Sequence, residues 1–180
     1  MRPGDVVLVT DWTLLRLFPP LRAAWAPVGT SGVVPITGEN AKRVLFGAIN
    51  VRTAHRVVLT REHAGGADAR AFFLELRRRY RRAGTIWLVL DGASAHTAVA
   101  SRALAARLRI ELVWLPKQTP ELSPMDQLWK ELKRVVAANR QAPNVDALAT
   151  SALLWVVMLT PTEARRKSGM LSPHFWLRNL

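Results

Sequence analysis

The apolar positions of this chain change texture several times between its ends. Val6-Val7-Leu8-Val9-Thr10 is an unbroken, β-branched run that stops at Asp11, the pattern of a strand covered on both faces. Residues 19–40 carry Pro19, Pro20, Pro27, Gly29, Gly32, Pro35 and Gly38, which excludes a long helix and predicts loops around a short strand. Two runs, 44–49 and 56–60, flank Asn50-Val51-Arg52-Thr53 and predict a hairpin. Gly65-Gly66 breaks that pattern. From Asp68 the period changes, because Ala69, Phe72, Phe73, Leu76 and Tyr80 form one stripe of an amphipathic helix, which Gly84 is expected to end.

Ile86-Trp87-Leu88-Val89-Leu90 repeats the character of the first run and also ends in an aspartate, Asp91. A short helix is predicted over about 97–108, a strand over 110–115, and irregular chain through Pro116 to Pro120. Ser123 and Pro124 mark the cap and first position of another helix; Asn144 and Thr160 mark two more, the last with a capping pattern to Glu163 and a stop at Gly169. Strands first, then strand and helix alternating, then helices, give the α/β class: a mixed sheet with helices on its faces.

Length and charge narrow the function. A chain of 180 residues, 49% hydrophobic, is expected to form one domain over residues 1–180. Lys and Arg number 26 against 13 acidic residues, a net charge of +13 that calls for a polyanionic partner, nucleic acid first. No apolar run reaches the ~18 residues of a spanning helix, so no membrane partner is expected. The early Asp5 and the short run behind it do not resemble a secretory signal. With no cysteine, thiolate metal sites and disulfides are excluded, and any metal must sit on oxygen or imidazole.

Three carboxylates stand where chemistry can happen. Asp11 and Asp91 each close an apolar run, and the carboxyl ends of buried strands border the crevice where α/β sheets bind ligands. Asp126 would join them from the start of a helix. Three such carboxylates can hold two hard divalent cations about 3.5–4 Å apart for in-line phosphoryl displacement, and magnesium suits that donor set. Met125, Leu128, Trp129, Leu132, Val135 and Val136 fall within about 120° of helix surface at 100° per residue. Asp126 lies just beyond that arc, with Lys130 and Lys133 on the same side. The plainer readings stand beside these: Asp11 and Asp91 as turn residues, and Asp126 as the N3 member of a capping box begun by Ser123. His96 either orients a phosphate, carries a proton or is structural. The run from Arg77 to Arg82 reads as a solvated face that attracts DNA, and the seven tryptophans as mostly core, with Trp12 or Trp25 nearest to substrate.

Taken together, Val89-Leu90-Asp91-Gly92-Ala93-Ser94-Ala95-His96, the run Leu115 to Lys133 containing Pro-Glu-Leu-Ser-Pro-Met-Asp-Gln-Leu-Trp-Lys-Glu-Leu-Lys, and Thr10-Asp11-Trp12 resemble the catalytic core of the DDE/D transposases. The 34 residues between Asp91 and Asp126 match the mariner-related side of that superfamily, in its bacterial insertion-sequence branch, and the tail from Thr162 to Leu177 is similar as well. Trp12 stands where the family usually has Glu, Gly92 and Ser123 where Asn is common, and Asp126 where this branch usually has Glu.

The resemblance implies a ribonuclease-H-like fold with a mixed five-stranded sheet. It also implies metal-dependent cleavage of double-stranded DNA and strand transfer in cut-and-paste transposition. Asp11, Asp91 and Asp126 are then the catalytic and metal-holding residues for two Mg²⁺ ions, with Mn²⁺ able to substitute. Lys117, Lys130, Lys133 and His96 are expected to contact DNA. The helix-turn-helix segment that reads the element's ends has no counterpart before Asp11, so either an upstream reading frame supplies it or the chain is a fragment; a homodimer is left open. The implied setting is the cytoplasm of a bacterium, at the nucleoid. Two alternatives remain at this stage: another ribonuclease-H-like nuclease, and a repurposed copy that binds DNA without cutting it.

Overall fold

The computed structural model describes residues 2–30, 33–117 and 119–179. Five strands, β1 (Val6–Arg16), β2 (Lys42–Asn50), β3 (Arg56–Arg61), β4 (Ile86–Leu90) and β5 (Ile110–Trp114), form one sheet in the order β3-β2-β1-β4-β5. The first three are an antiparallel meander, and β4 and β5 extend it in parallel from β1. The sheet is therefore mixed, as the element order predicts.

Helices cover both faces because the buried strands are apolar on both. Leu8, Phe46, Leu88 and Leu90 pack on one side against Phe72, Phe73 and Leu76 of α1 (Gly66–Arg79) and Ala105 of α3 (Val99–Arg107). Val7, Val9, Leu15, Leu45 and Val89 pack on the other against α4 (Pro124–Leu132) and α5 (Val145–Met158), with the short α6 (Pro161–Lys167) beside them. One short helix, α2 (Ser94–Thr97), precedes α3.

Several elements differ from the sequence expectation. β1 does not stop at Asp11 but runs to Arg16, because β2 pairs with it from Leu8↔Asn50 to Arg16↔Lys42. The short strand expected within residues 19–40 is absent among the described residues. That segment leaves Leu21, Trp25, Val28 and Val33 exposed. It is tied back by Asn139, whose side chain accepts from Arg22 N and donates to Arg22 O, and by Gln141 on Thr37; its prolines cannot donate to a ladder. Helix α1 starts at Gly66 rather than Asp68, with the Asp68 carboxylate accepting from Gly65 N, and ends before Gly84. The helix expected over 97–108 is two helices split at Ala98, whose ψ of 139° is extended. After Leu132 the backbone widens into a π turn over Lys133–Ala137, closed by Ala138 N to Lys133 O. That turn shifts the phase of the stripe, so Val136 is buried and Val135 only half so. Of the tryptophans only Trp129 is fully buried; Trp25, Trp114 and Trp176 are exposed, on the irregular segment, the edge strand and the tail. The expected caps of α5 and α6 are present on Asn144 and Thr160.

Candidate active site

Register brings the first two carboxylates together. β1 and β4 pair from Val6↔Ile86 to Val9↔Val89 and then part. Two residues further, Asp11 and Asp91 stand level on neighbouring chains at the mouth of the resulting crevice. Asp91 does close its strand; Asp11 lies mid-strand, opposite Gly47 of β2. By strand alternation Asp11 shares the face of Val9 and Leu15, the face that α4 covers.

Gly47 explains how α4 comes so close. A Cβ there would lie 2.5 Å from Trp129 and 2.6 Å from Met125, so only glycine lets these two side chains seat directly on β2. The sequence signal for it is a lone glycine inside an apolar strand. With α4 seated, its first turn reaches the crevice. Ser123 caps it by accepting from Asp126 N at 3.3 Å, but the Asp126 carboxylate does not return to Ser123 N, which donates to Pro120 O. The expected capping box is only half formed. The cap therefore makes no use of the Asp126 carboxylate.

Asp11, Asp91 and Asp126 line one cleft of about 620 Å³ together with Gly92, Lys117 and Ser123. Burial, and then the charges of Asp126 and Asp91, push the Asp11 carboxyl up to about 7. Asp91 is held below its ordinary value, chiefly by the His96 hydrogen bond. Lys130 Nζ approaches Asp126 Oδ2 at 2.7 Å, yet that buried oxygen accepts no well-aligned hydrogen bond. A cluster of oxygen donors with mutual repulsion and an unsatisfied buried oxygen fits a hard divalent cation. Among the described residues, no three acidic or imidazole side chains close around one point as a ready-made cage.

The other predicted residues separate. Lys117 is exposed on the cleft wall and Lys130 is exposed beside Asp126. Lys133 is half-buried, and that burial holds its ammonium below the ordinary value against the opposing pull of Asp126 and Asp11; it lines a separate hollow with Leu14 and Phe18 and not the carboxylate cleft. His96 is 4% exposed: Nδ1 sits 3.0 Å from Asp91 Oδ1, and the ring stacks on Phe73 at 6.3 Å. It props a carboxylate instead of presenting itself to DNA, because α2 begins at Ser94 and turns the ring inward. Neither Trp12 nor Trp25 lines the cleft; Trp12 packs against the α1 side of the core. Arg77 is not a solvated member of its run, since its guanidinium donates to main-chain carbonyls.

Comparison with known proteins gives a consistent result. The family model described as DDE superfamily endonuclease matches residues 6–149, a span that includes all three aspartates. An insertion element IS630 uncharacterized 39 kDa protein of Shigella sonnei is 26% identical over 144 residues, covering 77% of this chain and 41% of that protein. The chain thus spans less than half the length of the curated relative it matches. Among solved structures, the Mos1 transposase paired-end complex with left transposon end is similar at a TM-score of 0.69 and 17% identity, over 92% of this chain and 52% of that one. The catalytic domain of Mos1 mariner transposase is similar at 0.65 and 16%, over 92% and 76%. The likeness bears out the ribonuclease-H-like fold expected from the sequence. Among the described residues, no single helix is long and apolar enough to cross a membrane.

Proposed function

Because this chain belongs to the DDE superfamily of endonucleases, matched over residues 6–149, we propose that it is the catalytic domain of an insertion-sequence transposase that cuts duplex DNA and joins the freed end to a target. One observation carries the reading: Asp11 and Asp91 stand level where two parallel strands part, and Asp126 shares their cleft. These three would hold two magnesium ions, or manganese in their place, with water and phosphate oxygens filling the remaining positions. When bound, the ions would supply Lewis acidity to an attacking water, or later a 3′-hydroxyl, and counter-charge to the leaving oxygen.

The chain's own residues orient and neutralise. His96 and the Ala93 N–H both engage Asp91 Oδ1, leaving Oδ2 without a hydrogen bond among the described residues. Asp11 is fixed by strand pairing, and Asp126 by the Ser123 cap on its own N–H. Lys117 and Lys130 supply the cationic walls that phosphates require. Solved Mos1 relatives are described with a transposon end and with Mn or Mg, which supports both the DNA partner and the metals. In this reading an upstream helix-turn-helix segment reads the element's ends, a second copy pairs them, and the reaction takes place at the bacterial nucleoid.

Nicking of an end-labelled duplex in Mg²⁺, Mn²⁺ or Ca²⁺ tests the reading. Magnesium and manganese should support cleavage and calcium only binding. Asp11→Asn, Asp91→Asn and Asp126→Asn should each lower cleavage by roughly a hundredfold to a thousandfold while duplex affinity holds or rises slightly. Wild-type cleavage by Asp126→Asn would remove that carboxylate from the metal-holding set. Binding without nicking by the wild type would mark a repurposed copy.

A further inference from the structure

The end of the sheet opposite the carboxylates collects arginine. The strand registers place the N-terminal ends of β1, β4 and β5 and the β2–β3 turn at this one pole. Segments 2–5, 51–56, 77–85 and 107–109, which build it, hold ten arginines, no lysine and one carboxylate, Asp5. Asp5 is already engaged, accepting from Thr85 N at 2.9 Å and Trp87 Nε1 at 3.3 Å.

These arginines have different fates. Arg77 donates to Leu108 O at 2.7 Å, Arg109 O at 2.9 Å and Ala83 O at 3.0 Å, with longer bonds to Tyr80 O and Gly84 O. One guanidinium thereby ties the α1–β4 connection to the α3–β5 connection. Arg56 caps the end of α5 through Val157 O. Arg78 and Arg79 share Glu75. Arg52, Arg81, Arg82, Arg107 and Arg109 are exposed and form no ion pair among the described residues. Arg81 and Arg82 flank a shallow hollow of about 480 Å³ floored by Gly4, Val6 and Tyr80. Arg109 holds a left-handed backbone, φ 53°, while its carbonyl receives both Arg77 and Ile86 N. A solvated charge run needs no such anchoring; here Arg81, Arg82 and Arg109 are mounted on the two connections that Arg77 locks together.

We infer that this arginine pole is a second duplex-DNA surface, separate from the carboxylate cleft, which grips phosphates without reading bases. Guanidinium forks match phosphate oxygens in pairs, and a pre-fixed array loses little entropy on binding. From Val6 to Asp11 the two poles are about 17 Å apart at ~3.3 Å per residue, on opposite ends of the molecule. Duplex DNA, with a persistence length of about 150 bp, does not bend around so small a body. The two surfaces therefore hold two separate DNA segments: in a reaction that joins an end to a target both reacting groups meet in the carboxylate cleft, and the pole grips duplex remote from them. That last step rests on the proposed transposase reading; the binding surface does not.

The test is capture of a second duplex. A biotinylated 16-bp duplex is fixed on beads, the protein is added, and a labelled duplex of unrelated sequence follows. The wild type should retain the labelled duplex. Arg81→Gln/Arg82→Gln/Arg109→Gln should lose at least tenfold of that capture while cleaving a short duplex in Mg²⁺ at the wild-type rate and sedimenting as the wild type does. Arg82→Gln alone should lower the salt slope of capture by about 0.9. Undiminished capture by the triple variant overturns the surface, as does a wild type that never bridges. Competition by phosphatidylserine vesicles stronger than by free duplex would reassign the pole to a membrane surface and overturn it too. Bridging without any cleavage by the wild type would sink the nuclease reading and leave this surface standing.

Discussion

The two ends of the central sheet treat charge in opposite ways. At one end Asp11, Asp91 and Asp126 share a cleft in which the protein leaves much of their charge unanswered, so that Asp11 ionises only near neutrality and a buried oxygen of Asp126 lacks an aligned donor. At the other, Arg77 and Arg56 are answered by main-chain carbonyls and Arg78 and Arg79 by Glu75, a framework on which Arg52, Arg81, Arg82, Arg107 and Arg109 stand exposed and without an ion pair among the described residues. A charge that the fold satisfies is part of its framework; one that it holds at a cost waits for a ligand. The same sheet supplies both, because strands that part make a crevice and connections that converge offer carbonyls.

The largest expected effect breaks the comparison at the carboxylate end. Asp11 has its folded value raised from 3.8 to about 7. Between those values the native state keeps a proton that the unfolded chain has released, so stability falls as pH rises through that window and the full cost stands above it. The gap corresponds to about 4 kcal/mol at 1.36 kcal/mol per pH unit. Asp11→Asn should therefore stabilise the metal-free protein by a few kcal/mol at pH 8 and by little at pH 4. Magnesium should stabilise the wild type more than the variant. Urea unfolding with and without EDTA at the two pH values reads all of this; a pH-independent gain would show that Asp11 is not held against its charge.

Next comes the framework end. Arg77→Gln leaves at least three carbonyls without a donor, and should cost about 3 kcal/mol in unfolding free energy. Arg77→Lys should recover little of it, since a point charge cannot span two connections. Calorimetric magnesium binding should be unchanged in both, and a loss there would mean that the two ends are coupled. Gly47→Ala sharpens the contrast from the other side. Its methyl would press on Trp129 and Met125, for about 1–3 kcal/mol of strain. Because α4 carries Asp126, cleavage should fall along with stability, whereas Arg77→Gln should lower stability alone.

The sequence disclosed the carboxylate end more fully than the other. A β-branched run followed by aspartate is a local pattern, and it appears at both Asp11 and Asp91; the cap and the 34-residue gap point to Asp126. The convergence of all three needs the parallel register of β1 and β4, which local pattern does not contain. The continuation of β1 past Asp11 was hidden because Asp11 and Thr13 interrupt the apolar run, and only pairing with β2 sustains the strand there. At the arginine end, residues 77–82 look alike in sequence, yet Arg77 faces carbonyls, Arg78 and Arg79 face Glu75, and Arg81 and Arg82 face solvent. Sorting them requires the two connections that meet at Arg77, and these are about 30 residues apart in the chain.

The smallest expected effect lies between the two kinds of charge, at His96. The ring is buried, stacked on Phe73, and its Nδ1 meets Asp91 Oδ1, so it answers one carboxylate oxygen and leaves the other to the cleft. A neighbour that orients a metal-holding carboxylate typically contributes tenfold to a hundredfold to affinity. His96→Ala should therefore weaken Mn²⁺ binding by about tenfold, equivalent to 1.4 kcal/mol. His96→Asn, whose amide nitrogen lies near the place of Nδ1, should restore most of the affinity but not the stacking on Phe73. Calorimetric titration with Mn²⁺, paired with thermal melting in EDTA, separates the two contributions. If Asn rescues affinity while both variants melt at the same lowered temperature, His96 positions Asp91 and also packs. If both variants lose stability with no change in Mn²⁺ affinity, the ring belongs to the framework, and the carboxylate end answers even less of its own charge than the geometry implies.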